Sequence, residues 1–208
     1  MKTPDYHIIF SEIVNPNDIL SFLTDEDIEY IDRISNEKLR SQSATARFLI
    51  RKYLKENFSN NYKEFRIDLE SNGKPFFRNT DSLSFSISHS GEQIVVLLSK
   101  SKCGIDIESV KNYRKEIAKR FFHKTEFEYL ESINDTKKQA EEFYRIWTVK
   151  EAVLKLTGKG ISGGLSSFYL NGNGHIISKS DMTEKISVIS EKQNINGILY
   201  YYSIALAH

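Results

Sequence analysis

The order of predicted secondary structure constrains the fold of this chain most, because a loosely similar order occurs twice along 208 residues. The first half has a strand, helical sequence and three more strands, in the ranges 6–10, 24–57, 65–69, 83–88 and 94–99. The second half has a strand, helices and four strands, at 103–107, within 112–157, near 168, near 176, at 186–189 and at 199–205. Strict alternation of strand and helix is absent, so we expect an α+β fold with helices packed on small, mainly antiparallel sheets.

The repeated order also predicts two similar lobes, residues 1–102 and residues 103–208. The length suits one large domain or two lobes, and either can bury a core. With only 3 prolines and 10 glycines, no segment has the composition of a flexible linker. We therefore expect the chain to be compact throughout.

The composition excludes several classes of protein. The net charge is +1, which gives no overall attraction to nucleic acid or to anionic membranes. The single cysteine, Cys103, permits no internal disulfide and suits a reducing compartment. No apolar stretch is long enough to span a membrane. We expect a cytoplasmic protein that binds neither nucleic acid nor membranes.

Two carboxylates alternate with apolar residues in Gly104–Glu108. On a strand, Asp106 and Glu108 share one face. Their charges repel by about 1–4 kcal/mol at a separation of about 4 Å unless a cation offsets them. Oxygen ligands without a histidine or cysteine cluster favour Mg²⁺ or Mn²⁺ over zinc. An exposed strand end is the alternative interpretation of this pentapeptide.

A second candidate group lies on the predicted helix that Gly158 closes. Trp147, Glu151 and Lys155 are four residues apart, so they lie on one face of that helix. One interpretation is a third metal ligand beside a proton donor or charge stabiliser. The alternative is an ordinary Glu–Lys helix pair with Trp147 in the core.

Two clusters of basic residues interrupt the neutral average. Arg33, Arg40 and Arg47 are seven residues apart, which on one helix places them on nearly one face for gripping a phosphate. The second cluster, Lys111 to Lys124, is suited to an acidic protein partner. A solvated helix face is the alternative interpretation of each.

These motifs, together with G-K-P at 73–75, S-H-S at 88–90 and F-F-H-K-T-E at 121–126, resemble one family in order and spacing. It is the 4′-phosphopantetheinyl transferases of the monomeric surfactin-synthetase-activating type. The resemblance implies a monomer of two pseudo-twofold-related lobes with the active site between them. It also implies Mg²⁺-dependent transfer of the 4′-phosphopantetheine arm of coenzyme A to a serine of an acyl or peptidyl carrier protein, with release of adenosine 3′,5′-bisphosphate.

The resemblance assigns roles to residues of both lobes. It implies that Asp106, Glu108 and Glu151 bind the metal and that Lys155 contacts the pyrophosphate. The general base is Glu151, or Glu126 acting through a water, and the sequence does not separate them. In the first lobe, the coenzyme A side, the residues that match the binding motifs are Lys74, Pro75, Ser88 and His89.

The chain departs from the family in its first third, where basic residues that bind the 3′-phosphate align with Asp27 and Tyr30. We expect Arg40 and Arg47 to replace them. The carrier protein should bind Lys111 to Lys124 and the segment after Gly158, on the metal side.

Two rival functions remain open. One is a module that binds carrier proteins or coenzyme A without turnover. The other is a metal-dependent pyrophosphate hydrolase, which would share the three acids.

Overall fold

The computed structural model describes residues 5–158, 164–170, 176–178 and 185–208 and divides into two compact units, Met1–Lys100 and Ser101–His208. Each unit contains a three-stranded antiparallel sheet and a helix of 22 residues. The α+β class with small antiparallel sheets is therefore confirmed. Among the described residues, no helix is both long enough and apolar enough to cross a membrane.

The first unit is built on a sheet of strand order β1-β5-β4 and a separate hairpin of β2 and β3. Its strands are β1 (Tyr6–Glu12), β2 (Ile67–Leu69), β3 (Pro75–Phe77), β4 (Ser84–Ser90) and β5 (Gln93–Ser99). Its helices are α1 (Pro16–Ile19), α2 (Asp25–Asp32) and α3 (Glu37–Phe58), with 3₁₀ turns at Leu20–Phe22 and Ser59–Glu64. Neither α1 nor β3 was expected from the sequence.

The helical region expected over 24–57 is two helices, each with its own cap. Thr24 and Asp27 form a capping box at the start of α2. Asn36 Oδ1 accepts a hydrogen bond from the Leu39 N–H (3.0 Å) at the start of α3. Arg33 is the C-cap residue of α2 and lies outside α3. The prediction that Arg33 shares a helix face with Arg40 and Arg47 was therefore wrong.

The core of the first unit lies between α3 and its sheet. Strand β5 is central and all seven of its residues are buried, which explains its unbroken apolar run. Ala46, Leu49 and Ile50 of α3 pack in one cluster with Phe85 and Val96 of the sheet. Burying each large aliphatic side chain stabilises the fold by about 1.5–3 kcal/mol.

The second unit has the sheet order β6-β10-β9 and a hairpin of β7 and β8. Its strands are β6 (Cys103–Ser109), β7 (Phe168–Leu170), β8 (Ile176–Ser178), β9 (Ile186–Ile195) and β10 (Ile198–Ala207). Its helices are α4 (Lys115–Phe121), α5 (Lys124–Glu131) and α6 (Thr136–Thr157). In both units the last strand of the sheet lies between the first and the penultimate strand. The twofold relation and the functional roles of lobes 1–102 and 103–208 stay predictions.

Candidate functional site

The two motifs with acidic residues meet in the second unit. Gly104, Asp106 and Glu108 alternate along β6 and share one face, and α6 packs against β6. Lys155 of α6 donates a hydrogen bond from Nζ to Asp106 Oδ1 at 2.8 Å, across 49 residues of sequence. Asp106 is only 5% exposed. Side chains from a strand and a distant helix thus form one charged group.

Glu151 belongs to the same group because it lies one helical turn before Lys155 on α6 and interacts electrostatically with Asp106 and Glu108. Burial raises the pKa of Glu151 from 4.5 to about 7, and the charges of Asp106 and Glu108 add to this, whereas Lys155 opposes it. Glu151 Oε1 is buried and has no hydrogen-bond partner among the described residues. The carboxylate is therefore poised to accept a proton near neutral pH or to bind a cation.

The chemistry of this group fits a divalent metal ion. As the side chains stand, no three histidine, cysteine or acidic residues of the described part of the chain are arranged to hold a metal. The buried Oε1 of Glu151 nevertheless has no hydrogen-bond partner in the described part of the chain, and burial, together with the charges of Asp106 and Glu108, raises the pKa of Glu151. Carboxylate oxygens are the ligands that Mg²⁺ prefers in proteins. Asp106, Glu108 and Glu151 are the residues that would hold it.

Gly104 is a site residue that the sequence interpretation missed. A Cβ at this position would lie 2.0 Å from the carbonyl oxygen of Ala152 and 2.6 Å from the amide nitrogen of Leu156. Only glycine allows α6 to lie this close to β6, and this approach places Glu151 and Lys155 beside Asp106. A glycine inside a strand often indicates close backbone approach, so a signal was present in the sequence.

Replacing Gly104 by alanine is expected to force α6 away from β6. Because both clashing atoms are backbone atoms, we expect a loss of about 3 kcal/mol in the free energy of unfolding. Urea unfolding measures this loss in the free energy of unfolding. Gly197→Asn is the control, because a Cβ there meets nothing within 4 Å and asparagine tolerates its positive φ of 81°. A Gly104→Ala variant as stable as the control would contradict the close-approach argument.

Glu126, predicted as an alternative general base, lies in a buried ion pair. It is 2% exposed, and its Oε2 is 2.8 Å from Nζ of Lys150, a residue with no exposed surface. Its Oε1 accepts a hydrogen bond from the Leu170 N–H (3.0 Å), and its Oε2 accepts one from the His123 N–H (3.1 Å). Both oxygens are engaged in holding the fold, which favours Glu151 over Glu126 as the base.

Lys150, the partner of Glu126, also binds the backbone at Leu165 and at the start of β7. Its Nζ donates hydrogen bonds to the carbonyl oxygens of Leu165 (2.6 Å) and Phe168 (2.7 Å). Burial lowers the pKa of Lys150, and the charge and hydrogen bond of Glu126 partly restore it. The helical spacing separates Lys150 from the face of Glu151 by about 100°. The helical spacing thus predicted that the Lys150 side chain points away from Glu151, but it did not predict that Glu126 is its buried partner.

The first unit contains a cavity of about 410 Å³ that is mainly apolar. It brings together three of the residues predicted to bind coenzyme A, namely Arg47, Pro75 and His89. The rest of its lining is Tyr30, Ile34, Leu39, Gln42, Ser43, Ala46, Ile50, Ile67, Leu69, Gly73, Phe85 and Ile87. An apolar cavity with a few polar groups is the usual form of a small-molecule site.

Arg47 supplies a positive charge to this cavity, and Asp27 and Tyr30 hold its side chain in place. Its Nη1 is 2.6 Å from Asp27 Oδ1, and its guanidinium lies 4.1 Å from the centre of the Tyr30 ring. Arg51 donates from Nε to Asp27 Oδ2 (2.6 Å) and is 1% exposed. Burial alone would raise the pKa of Asp27, but the hydrogen bond and charge of Arg51, with Thr24 and Arg47, hold it below its usual value. One buried acid and two arginines leave a net positive charge.

The other residues predicted for coenzyme A are placed differently. Ser88 is buried and alternates with His89 along β4, so it lies on the opposite face of that strand. Lys74 lies between Gly73 and Pro75, two residues that line the cavity. Arg40 donates from Nε to the carbonyl oxygen of Ile34 at 2.9 Å. Of the two arginines predicted to bind the 3′-phosphate, Arg47 has the better position, because it lines the cavity.

The basic stretch from Lys111 to Lys124 spans α4 and the start of α5. Its lysines and arginines are exposed. Phe122 is 4% exposed and stacks on Phe143 (centroids 5.4 Å apart), whereas Phe121 is half-buried. Phe122 is thus a core residue. The segment predicted to contact the carrier after Gly158 begins at residues 159–163, which lie outside the described residues.

Similar proteins were found in curated sequences. Psf-1 of Bacillus pumilus is 42% identical over 120 residues, which is 58% of this chain and 51% of that protein. Sfp of Bacillus subtilis is 33% identical over 149 residues, or 72% of this chain and 66% of that protein. Gsp of Aneurinibacillus migulanus is 34% identical over 160 residues, which is 75% of this chain and 65% of that protein. All three are named 4′-phosphopantetheinyl transferases, and the chain spans less than two thirds of their length.

Two family profiles match adjacent parts of the chain. One, described as 4′-phosphopantetheinyl transferase, N-terminal, matches residues 15–102. The other, described as the 4′-phosphopantetheinyl transferase superfamily, matches residues 102–196. Because the two profiles meet at residue 102 and agree with the relatives, this chain belongs to the 4′-phosphopantetheinyl transferase superfamily, with similarity to Sfp.

Proposed function

We propose that this protein transfers the 4′-phosphopantetheine arm of coenzyme A to a serine of an acyl or peptidyl carrier protein. The reaction depends on Mg²⁺ and releases adenosine 3′,5′-bisphosphate. The observation that carries the proposal is the charged group formed by Asp106, Glu151 and Lys155 from two distant motifs. The names of the relatives support the same reaction class.

The cavity of the first unit is proposed to bind the adenosine end of coenzyme A. Its apolar walls suit a purine ring, and Pro75 and His89 lie at its lining. Arg47 brings a positive charge, held in place by Asp27 and Tyr30, which suits the 3′-phosphate.

The acids of the second unit are proposed to act on the reacting phosphates. Mg²⁺ held by Asp106, Glu108 and Glu151 would supply charge neutralisation at the pyrophosphate. A carboxylate oxygen of Glu151 accepts the hydroxyl proton of the carrier serine, while the serine Oγ forms a bond to the β-phosphorus. The bond from that phosphorus to the bridging oxygen breaks, and adenosine 3′,5′-bisphosphate leaves. Lys155 Nζ stabilises the charge that develops on the leaving phosphate.

The carrier protein is proposed to approach the exposed basic residues of Lys111 to Lys124. Carrier proteins that are acidic around their modified serine would be attracted to this stretch, and salt would weaken the attraction. Phe121, which is half-buried, is the available apolar contact.

Mass spectrometry of an apo-carrier protein incubated with this protein, coenzyme A and Mg²⁺ tests the proposal. Transfer adds the mass of one phosphopantetheine arm to the carrier and releases adenosine 3′,5′-bisphosphate. A pyrophosphate hydrolase would cleave coenzyme A without modifying the carrier, and a binding module would do neither. An unmodified carrier after long incubation, with several carriers tested, would reject the transferase.

Replacing Arg47 by methionine tests the proposed 3′-phosphate contact. A hydrogen bond to a charged group contributes about 1.5–3 kcal/mol, so the Michaelis constant for coenzyme A should rise about tenfold or more. The constant for dephospho-coenzyme A, which lacks the 3′-phosphate, should change much less. Arg40→Met is the matched control and should not discriminate between the two substrates. Equal effects of Arg47→Met on both substrates would reject the contact.

A further inference from the structure

We propose that Lys155 is an exchangeable internal cation of the acidic group. Its ammonium pairs with Asp106 before a divalent cation binds, and the entering cation displaces it. The released ammonium is then available to an anionic group of the substrate. This inference rests on the proposed function and adds an order of events to it.

The contact between the two side chains is direct, yet only one partner is buried. Lys155 Nζ lies 2.8 Å from Asp106 Oδ1, and the exposed side-chain fractions are 29% for Lys155 and 7% for Asp106. A lysine has four flexible methylene groups and keeps its charged end near water at little cost. Lys155 can therefore leave Asp106 by rotation of its side chain, without movement of β6 or α6.

The balance of charges favours exchange by a divalent cation. Asp106, Glu108 and Glu151 are three acidic side chains that interact electrostatically, and Lys155 brings one ammonium. An ion with two charges offsets the acids better than a single ammonium, and it binds carboxylate oxygens. Ammonium and metal ion compete for the same Asp106 carboxylate, so each weakens the binding of the other.

The substitution Lys155→Met tests the competition through the affinity for Mg²⁺ itself. Methionine keeps an unbranched side chain of similar length but cannot pair with Asp106. In calorimetric titration without coenzyme A, we expect the dissociation constant for Mg²⁺ to fall about tenfold, which corresponds to one charge-assisted hydrogen bond. Lys155→Arg keeps both charge and pairing, so it should bind Mg²⁺ as the wild type does.

Lys192→Met is the matched control for a general change in charge. Lys192 also belongs to the second unit and pairs with Glu141 of α6 at 3.1 Å, so its removal should leave Mg²⁺ affinity unchanged. Equal or weaker Mg²⁺ binding by Lys155→Met, with wild-type binding intact, would overturn the exchange and leave the proposed function standing. No Mg²⁺ binding by either wild type or Lys155→Met would overturn the exchange and the metal assignment together.

Discussion

Replacing Glu151 by glutamine is expected to reduce carrier modification at least about 100-fold, because the variant has no carboxylate to accept the serine proton. The glutamine has nearly the same size as the glutamate, so packing of α6 on β6 should survive. The rate of carrier modification at saturating coenzyme A and Mg²⁺ measures the effect. Activity within about threefold of the wild type would show that the base lies elsewhere.

The same variant should be more stable than the wild type at alkaline pH in the absence of divalent ions. The folded pKa of Glu151 is raised from 4.5 to about 7, so the folded state holds the proton more tightly than the unfolded chain. Wild-type stability therefore falls as pH rises from about 4.5 to 7 and stays reduced above that range. The gain from Glu151→Gln should be near zero below pH 4.5 and about 2 kcal/mol at pH 8, after allowance for solvent screening.

Urea unfolding in EDTA at several pH values checks this expectation. Glu141→Gln is the matched control, because Glu141 lies on the same helix and pairs with Lys192 (3.1 Å), whose side chain is 58% exposed. Its stability should change little and without this pH dependence. A Glu151→Gln variant that is less stable than the wild type at pH 8 would show that the ionised carboxylate of Glu151 does not destabilise the folded state.

Replacing Lys150 by methionine should destabilise the protein by about 3–5 kcal/mol, the second large effect that we expect. The change leaves Glu126 as a buried carboxylate without its counter-ion. It also removes the hydrogen bonds to the carbonyl oxygens of Leu165 and Phe168. Urea unfolding monitored by circular dichroism gives the change in free energy.

The double variant Glu126→Gln and Lys150→Met separates an ion pair from general loss of packing. Glutamine keeps an acceptor for the Leu170 N–H, so the double variant should lose less stability than the sum of the two single variants. It should also lose less transfer activity than Glu151→Gln. The pair of Lys192 and Glu141 serves as the control, since the Lys192 side chain is 58% exposed and Lys192→Met should change stability by less than about 1 kcal/mol. Additive effects in the buried pair would contradict its coupling.

Local sequence patterns predicted several features of the site correctly. The alternation in Gly104–Glu108 is a strand, and the spacing of Glu151 and Lys155 is helical. Gly158 ends α6 with a φ of 70°. These features depend on neighbours within about one helical turn, so the backbone geometry that the residues themselves favour is sufficient.

The buried ion pairs could not be predicted in the same way. Arg47 lies 20 residues from Asp27, and Arg51 lies 24 residues from it. In the sequence, Arg47 and Arg51 resemble the exposed lysines of the same helix. Charged residues are seldom buried, so composition favours a solvated face, and only the tertiary partner reverses that expectation.

The sequence by itself determined the α+β class, the strand of Gly104–Glu108, the shared helix of Glu151 and Lys155, and the end of that helix at Gly158. These features follow from short-range periodicity, which does not depend on the rest of the fold. The tertiary structure alone decided that Glu126 and Lys150 stabilise the fold, that Asp27 orients Arg47, and that Gly104 lets α6 reach β6. Burial and close contact depend on which distant segments pack together, and no local pattern specifies that packing.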